Sequence, residues 1–204
     1  MEENNLNELV NKSIYILREV KSRFEKPAML CSFGKDSVTI LYLIKAAFGG
    51  FPFPIIHLDT GCKFPQMYEY RDKLQKELGF ELIIAKNEEA LAEGMNHEKG
   101  HFECCNALKS LNLKKLLAKH NFDALIVGIR RDEHGVRSEE NFFSPRDNDC
   151  NFKNMEITGD GRENHDIGIK SLTDSEFSGW DLYATEYKDT QHVRIHPLLH
   201  WDEL

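Results

Sequence analysis

Ser32-Phe33-Gly34-Lys35-Asp36-Ser37 gathers, in six residues, the groups that hold a phosphate. A glycine lets the backbone come close to an anion. The first turn of a helix after it would aim free N–H groups and a positive dipole end at the same point. Lys35 adds a full charge, and Ser32 and Ser37 add hydroxyl donors. Asp36 could cap the helix by accepting from its free N–H groups. The string is not a Walker loop, which needs a second glycine upstream and a Ser or Thr straight after the lysine. The alternative is an ordinary strand-to-helix turn with a capping Asp. Its place after the first buried strand favours a ligand, because ligands of open parallel sheets gather at the carboxyl ends of strands.

Two further strings would open on the same crevice. Asp59-Thr60-Gly61 ends the next strand. Asp59 could hold a ribose hydroxyl or a magnesium ion, with Thr60 and Gly61 offering backbone contacts. Alone, the string would read as a simple turn, and His57 before it as a structural histidine. Arg130 and Arg131 leave the fourth strand, with Arg137 and Arg146 beyond. Arginine forks suit phosphate or sulfate. The competing reading is a set of ion pairs with Asp132, Glu133, Glu139 and Asp147. Cys104-Cys105 begins a helix, where thiolates could ligate a metal or cluster. A cluster needs about four ligands, and downstream only Cys150 remains, so two buried thiols are expected instead.

The elements that would position these groups follow from apolar periodicity. Residues 5–25, 36–47, 64–78 and 104–120 read as helices. Residues 28–31, 54–58, 81–85, 123–129 and 192–196 read as strands. Gly49-Gly50 and Gly79 supply helix stops. Continuous apolar strands alternating with helices predict an α/β fold: a parallel sheet with helices on both faces. From about 144 to 190 the pattern decays into Asp, Asn, Gly and Ser, read as an irregular insertion in a single domain.

The 204-residue chain carries a formal net charge of -8. Its overall field repels phosphate, so nucleic acid is not an expected partner and any anion site must be local. The five cysteines argue against a disulfide framework. No apolar run reaches membrane length and no basic signal start is present, which predicts a cytoplasmic protein.

Ser-Phe-Gly-Lys-Asp-Ser, Leu-Asp-Thr-Gly, Arg-Arg-Asp-Glu and Phe-Ser-Pro-Arg-Asp, in that order, resemble the adenylyl-sulfate branch of the N-type ATP pyrophosphatases, the PP-loop superfamily. The likeness covers most of 28–147 and resumes at Arg194-Ile195-His196-Pro197-Leu198 with Trp201. The nearest branch is the small subunit of heterodimeric ATP sulfurylase, followed by the phosphoadenylyl-sulfate reductases. The resemblance implies a Rossmann-like fold of the adenine-nucleotide α-hydrolase type. It also implies attack of sulfate on the α-phosphate of ATP, giving adenylyl sulfate and pyrophosphate, with Mg2+ accompanying the nucleotide.

Carried over by that resemblance, Ser32, Phe33, Gly34, Lys35, Asp36 and Ser37 hold the leaving pyrophosphate, and Asp59, Thr60 and Gly61 border the nucleoside. Arg130, Arg131 and Arg137 bind sulfate and the reacting phosphate. A GTPase-type large subunit is the implied partner, and a further helical segment is implied beyond Leu204. Cys104-Cys105 with Lys109 resembles the paired-cysteine segment of iron–sulfur reductases, whose downstream Cys-x-x-Cys and terminal cysteine have no counterpart here. Reduction of adenylyl or phosphoadenylyl sulfate is the first alternative. A non-catalytic nucleotide-binding module, or an adenylating enzyme for nucleic-acid thiolation, is the second.

Overall fold

The structure, a computed structural model, describes residues 2–133, 135, 137, 140–147, 150 and 192–202, with side chains from Asn5 onward. The first helix, α1 (Glu2–Arg23), leads into β1 (Pro27–Leu30), α2 (Lys35–Phe48), β2 (Ile55–Asp59), α3 (Pro65–Leu78) and β3 (Leu82–Lys86). After β3 come α4 (Glu88–Ala92), α5 (His101–Cys105), a π-helical turn (Asn106–Ser110) and α6 (Leu111–His120). Then β4 (Ala124–Ile126), β5 (Phe143–Arg146) and β6 (His192–Ile195) complete the sheet.

The strands lie in the order β3-β2-β1-β4-β6-β5. All neighbours are parallel except β5, which pairs antiparallel with β6 at the edge. The alternation of side chains along each strand feeds two cores. Met29, Ile55, Ile126 and Ile195 face α1 and α2, where Leu17, Val20, Ile40 and Ile44 meet them. Ala28, Ile56, Ala85 and Leu125 face α6, against Leu113, Leu116 and Leu117. Helices therefore cover both faces, as the continuous apolar strands predict. Both α2 and α3 stop at left-handed glycines, Gly49 and Gly79.

Two expectations need correction. The helix read over 104–120 starts earlier, at His101, and is interrupted by the π-helical turn. Residues 143–146 are a strand rather than the start of an irregular insertion. Pro145 hides it in the sequence, but an edge strand tolerates a residue with no N–H to donate. The rest of that proposed insertion, 151–190, lies outside the described residues. Among the described residues no helix is long and apolar enough to cross a membrane.

After Ile195 the chain returns to α1. The indole Nε1 of Trp201 donates to Ser13 Oγ (3.0 Å), and Ser13 Oγ donates to the carbonyl of Pro197 (2.8 Å). This closure matters for the site, because the Arg131 N–H donates to the Leu199 carbonyl (3.1 Å). The segment behind β6 thus supports the segment that leaves β4.

Candidate functional site

The chain builds outward from β1 through β2 to β3, then crosses back to β4 on the other side of β1. Strand order reverses between β1 and β4, and a crevice at the carboxyl ends of strands forms at such a switch point. The loop 32–37 leaves β1 there, and residues 127–133 leave β4 beside it.

The residue of the loop in the left-handed region is Phe33 (φ 62°), while Gly34 is extended at φ -81° and ψ 171°. Phe33 is buried, edge-on to His57 (5.2 Å) and stacked on Phe80 (6.5 Å). Packing of the ring offsets a backbone conformation that a phenylalanine rarely adopts. Gly34 is the N-cap of α2 and offers no side chain to its first N–H groups. Those groups have no carbonyl within the helix and remain oriented for an anion. The Ser37 hydroxyl donates to the Gly34 carbonyl (3.0 Å) and lies 3.3 Å from the Ser32 hydroxyl, which accepts from the Gly34 N–H (3.3 Å). Lys35 projects into solvent with its side chain 59% exposed.

Asp36 is not the cap that the sequence suggests. Its carboxylate accepts from Arg130 Nη1 at 2.5 Å. Arg130 is buried and also donates through Nε to Asp132 (2.8 Å). The Asp132 hydrogen bond, more than burial opposes it, raises the Arg130 guanidinium above its ordinary range. This ion triad fastens the exit of β4 to the first turn of α2. Gly128 allows the approach: a Cβ there would sit 3.2 Å from the Ser37 nitrogen and 3.3 Å from the Asp36 carbonyl carbon.

The other arginines divide differently from a single cluster. The Arg131 guanidinium donates to the Glu140 carbonyl (3.4 Å). Arg137 is exposed and pairs with Glu133. Arg146 lies in β5 opposite His192, at the end of the sheet away from the crevice, and pairs with Glu140. The reading of four arginines at one strand's carboxyl end therefore fails for Arg146.

Asp59 is buried at the end of β2. Its Oδ1 accepts from the Gly61 N–H (2.9 Å) and the Tyr68 hydroxyl (2.8 Å), and its Oδ2 pairs with Lys86 Nζ (3.1 Å). Burial alone would raise its pKa, but these three donors hold the carboxyl below the usual range. They also fix the Thr60-Gly61 turn, in which Gly61 takes φ 72° and a Cβ would stand 3.3 Å from the Leu91 side chain.

His57 holds the entrance of the loop. Its Nδ1 lies 2.9 Å from the Cys31 carbonyl, which only accepts, so Nδ1 carries the proton. Burial lowers its pKa and keeps the ring neutral. Tyr68 and Lys86 escaped the sequence reading, because pairs made across strands and helices leave no local spacing.

Cys104 and Cys105 are half-buried, with Cys105 Sγ 3.7 Å from His101 Nε2. Among the described residues no group of three His, Cys, Asp or Glu side chains is placed to hold a metal ion.

An uncapped helix start beside a lysine, at the switch point of a parallel sheet, is the arrangement by which α/β domains of the nucleotide-binding class hold phosphate. The profile of the phosphoadenosine phosphosulfate reductase domain matches residues 26–204, and the chain belongs to that family. Proteins named sulfate adenylyltransferase subunit 2 are similar over 202 residues, 98% of this chain. The one from Pseudomonas entomophila is 37% identical with 60% of its length covered, and the one from Serratia proteamaculans 38% with 61%. The chain thus spans about 60% of the length of these relatives. A phosphoadenylyl-sulfate reductase from Candida auris, solved as a phosphate complex, superposes with TM-score 0.58 at 17% identity, covering 93% of this chain and 73% of that one. A U34-tRNA thiolase from Methanococcus maripaludis, solved with its [4Fe-4S] cluster, gives 0.53 at 16%, covering 96% and 60%. At such identities the likeness is one of fold.

Proposed function

We propose that the chain is the nucleotide-binding part of a sulfate adenylyltransferase, joining ATP and sulfate to give adenylyl sulfate and pyrophosphate. The observation that carries this reading is the loop 32–37 at the carboxyl end of β1, with Lys35 and the uncapped start of α2, in a chain 37% identical to proteins of that name. A sulfate oxygen attacks the α-phosphorus, the bond to the bridging oxygen breaks, and pyrophosphate leaves with its charge. The N–H groups of 35–37, the Lys35 ammonium and the hydroxyls of Ser32 and Ser37 receive that charge. Catalysis then rests on position and electrostatics without a covalent enzyme intermediate.

Thr60 and Gly61 border the nucleoside, and Asp59 acts on it through the turn it fixes. Arg130 serves as a brace for the loop, while Arg131 and Arg137 receive sulfate in exchange for part of their contacts with Glu140 and Glu133. The crevice carboxylates Asp36 and Asp59 are engaged with Arg130, Lys86 and Tyr68. That donor set suits Mg2+ arriving on the triphosphate and held chiefly by phosphate oxygens and water. A large subunit of the GTPase type is the expected partner, in keeping with the relatives' designation as subunit 2.

Sulfate-dependent exchange of labelled pyrophosphate into ATP, by the full-length protein with its large subunit, tests the reading. Exchange that ignores sulfate would remove sulfate as acceptor. The vicinal Cys104-Cys105 pair favours a second reading, reduction of adenylyl sulfate, which predicts bound iron and thiol-dependent sulfite release.

A further inference from the structure

Lys63 follows the Thr60-Gly61 turn and precedes α3. It is half-buried, and its Nζ lies 3.4 Å from the carbonyl oxygen of Ser32, the first residue of the phosphate loop. One side chain thus bridges from the turn after β2 to the loop after β1. The surrounding charge is unbalanced. The ammonium feels the positive charges of Lys109 and Arg71 and, among carboxylates, Asp59. Asp59 is already engaged by Lys86, Tyr68 and Gly61. Arg71 has its own partner in Asp72 (2.8 Å). Among the described residues Lys63 is left with a neutral backbone carbonyl as its acceptor. Burial, and after it the nearby Lys109, push its pKa below the ordinary lysine range. A desolvated ammonium among like charges, in a protein of net charge -8, is stabilised by an anionic ligand.

The location says which anion. On the reading above, residues 32–37 hold the pyrophosphate portion of ATP and residues 59–61 border the nucleoside. The α-phosphate is the covalent link between those two portions, so it lies where the turn and the loop meet. Lys63 spans that junction. We propose that Lys63 contacts the α-phosphate of the bound nucleotide, with Lys35 serving the β- and γ-phosphates. Charge there grows as sulfate adds to phosphorus, so Lys63 would hold the reacting centre and not only the ground state.

The inference rests on the phosphate-loop reading, and the experiment separates the two. Affinities of the full-length protein for ATP, AMP and pyrophosphate are measured by calorimetry, alongside thermal melting. Lys63→Met should weaken ATP and AMP by about tenfold, as loss of a charge-assisted contact does, and leave pyrophosphate unchanged. Lys63→Arg should restore much of the loss. Lys35→Met should show the converse, losing pyrophosphate and sparing AMP. Should Lys63→Met melt early, Lys63→Gln supplies the same comparison with a polar stem. If the Lys63 variants bind AMP like wild type while Lys35→Met loses pyrophosphate, the Lys63 assignment falls and the loop reading stands. Equal loss of AMP and pyrophosphate on removing Lys63 would mean that it only anchors Ser32, which also overturns the assignment. Wild-type protein that binds neither ATP nor pyrophosphate would overturn both.

Discussion

At the scale of single residues, Lys35 and His57 act on the same loop by different means. Lys35 is 59% exposed at its side chain and lies 3.7 Å from Asp36, so its removal takes little from the core and should leave the fold intact. Lys35→Ala should weaken triphosphate binding by about tenfold and adenosine binding hardly at all, because the charge acts on phosphate. Calorimetry with both ligands checks this, and equal loss would mean a damaged fold. His57 contributes through the N–H it gives to the Cys31 carbonyl. Asparagine places an N–H close to the position of Nδ1, and leucine does not. His57→Leu should cost about 1–3 kcal/mol of stability by leaving that carbonyl unpaired. His57→Asn should recover part of it in denaturant unfolding. The loop string was legible because loop chemistry is local in sequence. The strained Phe33 was not, since its cause is the packing of His57 and Phe80 around the ring.

At the scale of elements, the decisive contact joins β4's exit to α2's first turn. Arg130 sits between Asp36 and Asp132 with its side chain 5% exposed. Only the arginine of this group is buried, and water reaches both carboxylates in part, so removing Arg130 costs less than the about 3–5 kcal/mol of a fully buried pair. Arg130→Met should still lower the thermal midpoint. In a double-mutant cycle, Arg130→Met and Asp36→Asn should show a coupling beyond 0.5 kcal/mol, the lower end of the range for residues in contact. Additive effects would mean that the two side chains do not meet. Element order and the parallel core were readable from apolar runs flanked by glycine and proline. Strand β5 was not, because Phe-Ser-Pro-Arg is only four residues long and carries a proline. Its Ser144 and Arg146 share a face with His192 and Arg194, and that face is polar though Ser144, Arg146 and His192 are buried.

At the scale of the whole molecule, that buried polar face couples stability to pH. Burial lowers His192 to about 4, aided by Arg194 and Arg146, and lowers His196 in the same direction. Neither ring nitrogen of His192 has a hydrogen-bond partner among the described residues. Both imidazoles are neutral in the folded chain while the unfolded chain takes up protons below about 6.5. Their contribution is fully present above that pH and is lost as pH falls toward 4. Stability should drop by about 1.4 kcal/mol per pH unit for each histidine across that window. His192→Gln should reduce the slope by one proton's worth in urea titrations between pH 7 and 5. An unchanged slope would mean that His192 titrates alike in both states.

The whole account depends on residues 32–37 being the phosphate site, and a crystal structure of the protein grown with ATP and magnesium tests that most directly. The β- and γ-phosphates are predicted on the N–H groups at the start of α2, within reach of Lys35, with adenosine beside Thr60 and Gly61. Phosphates bound away from that helix start, or adenosine on the far side of β4, would contradict it.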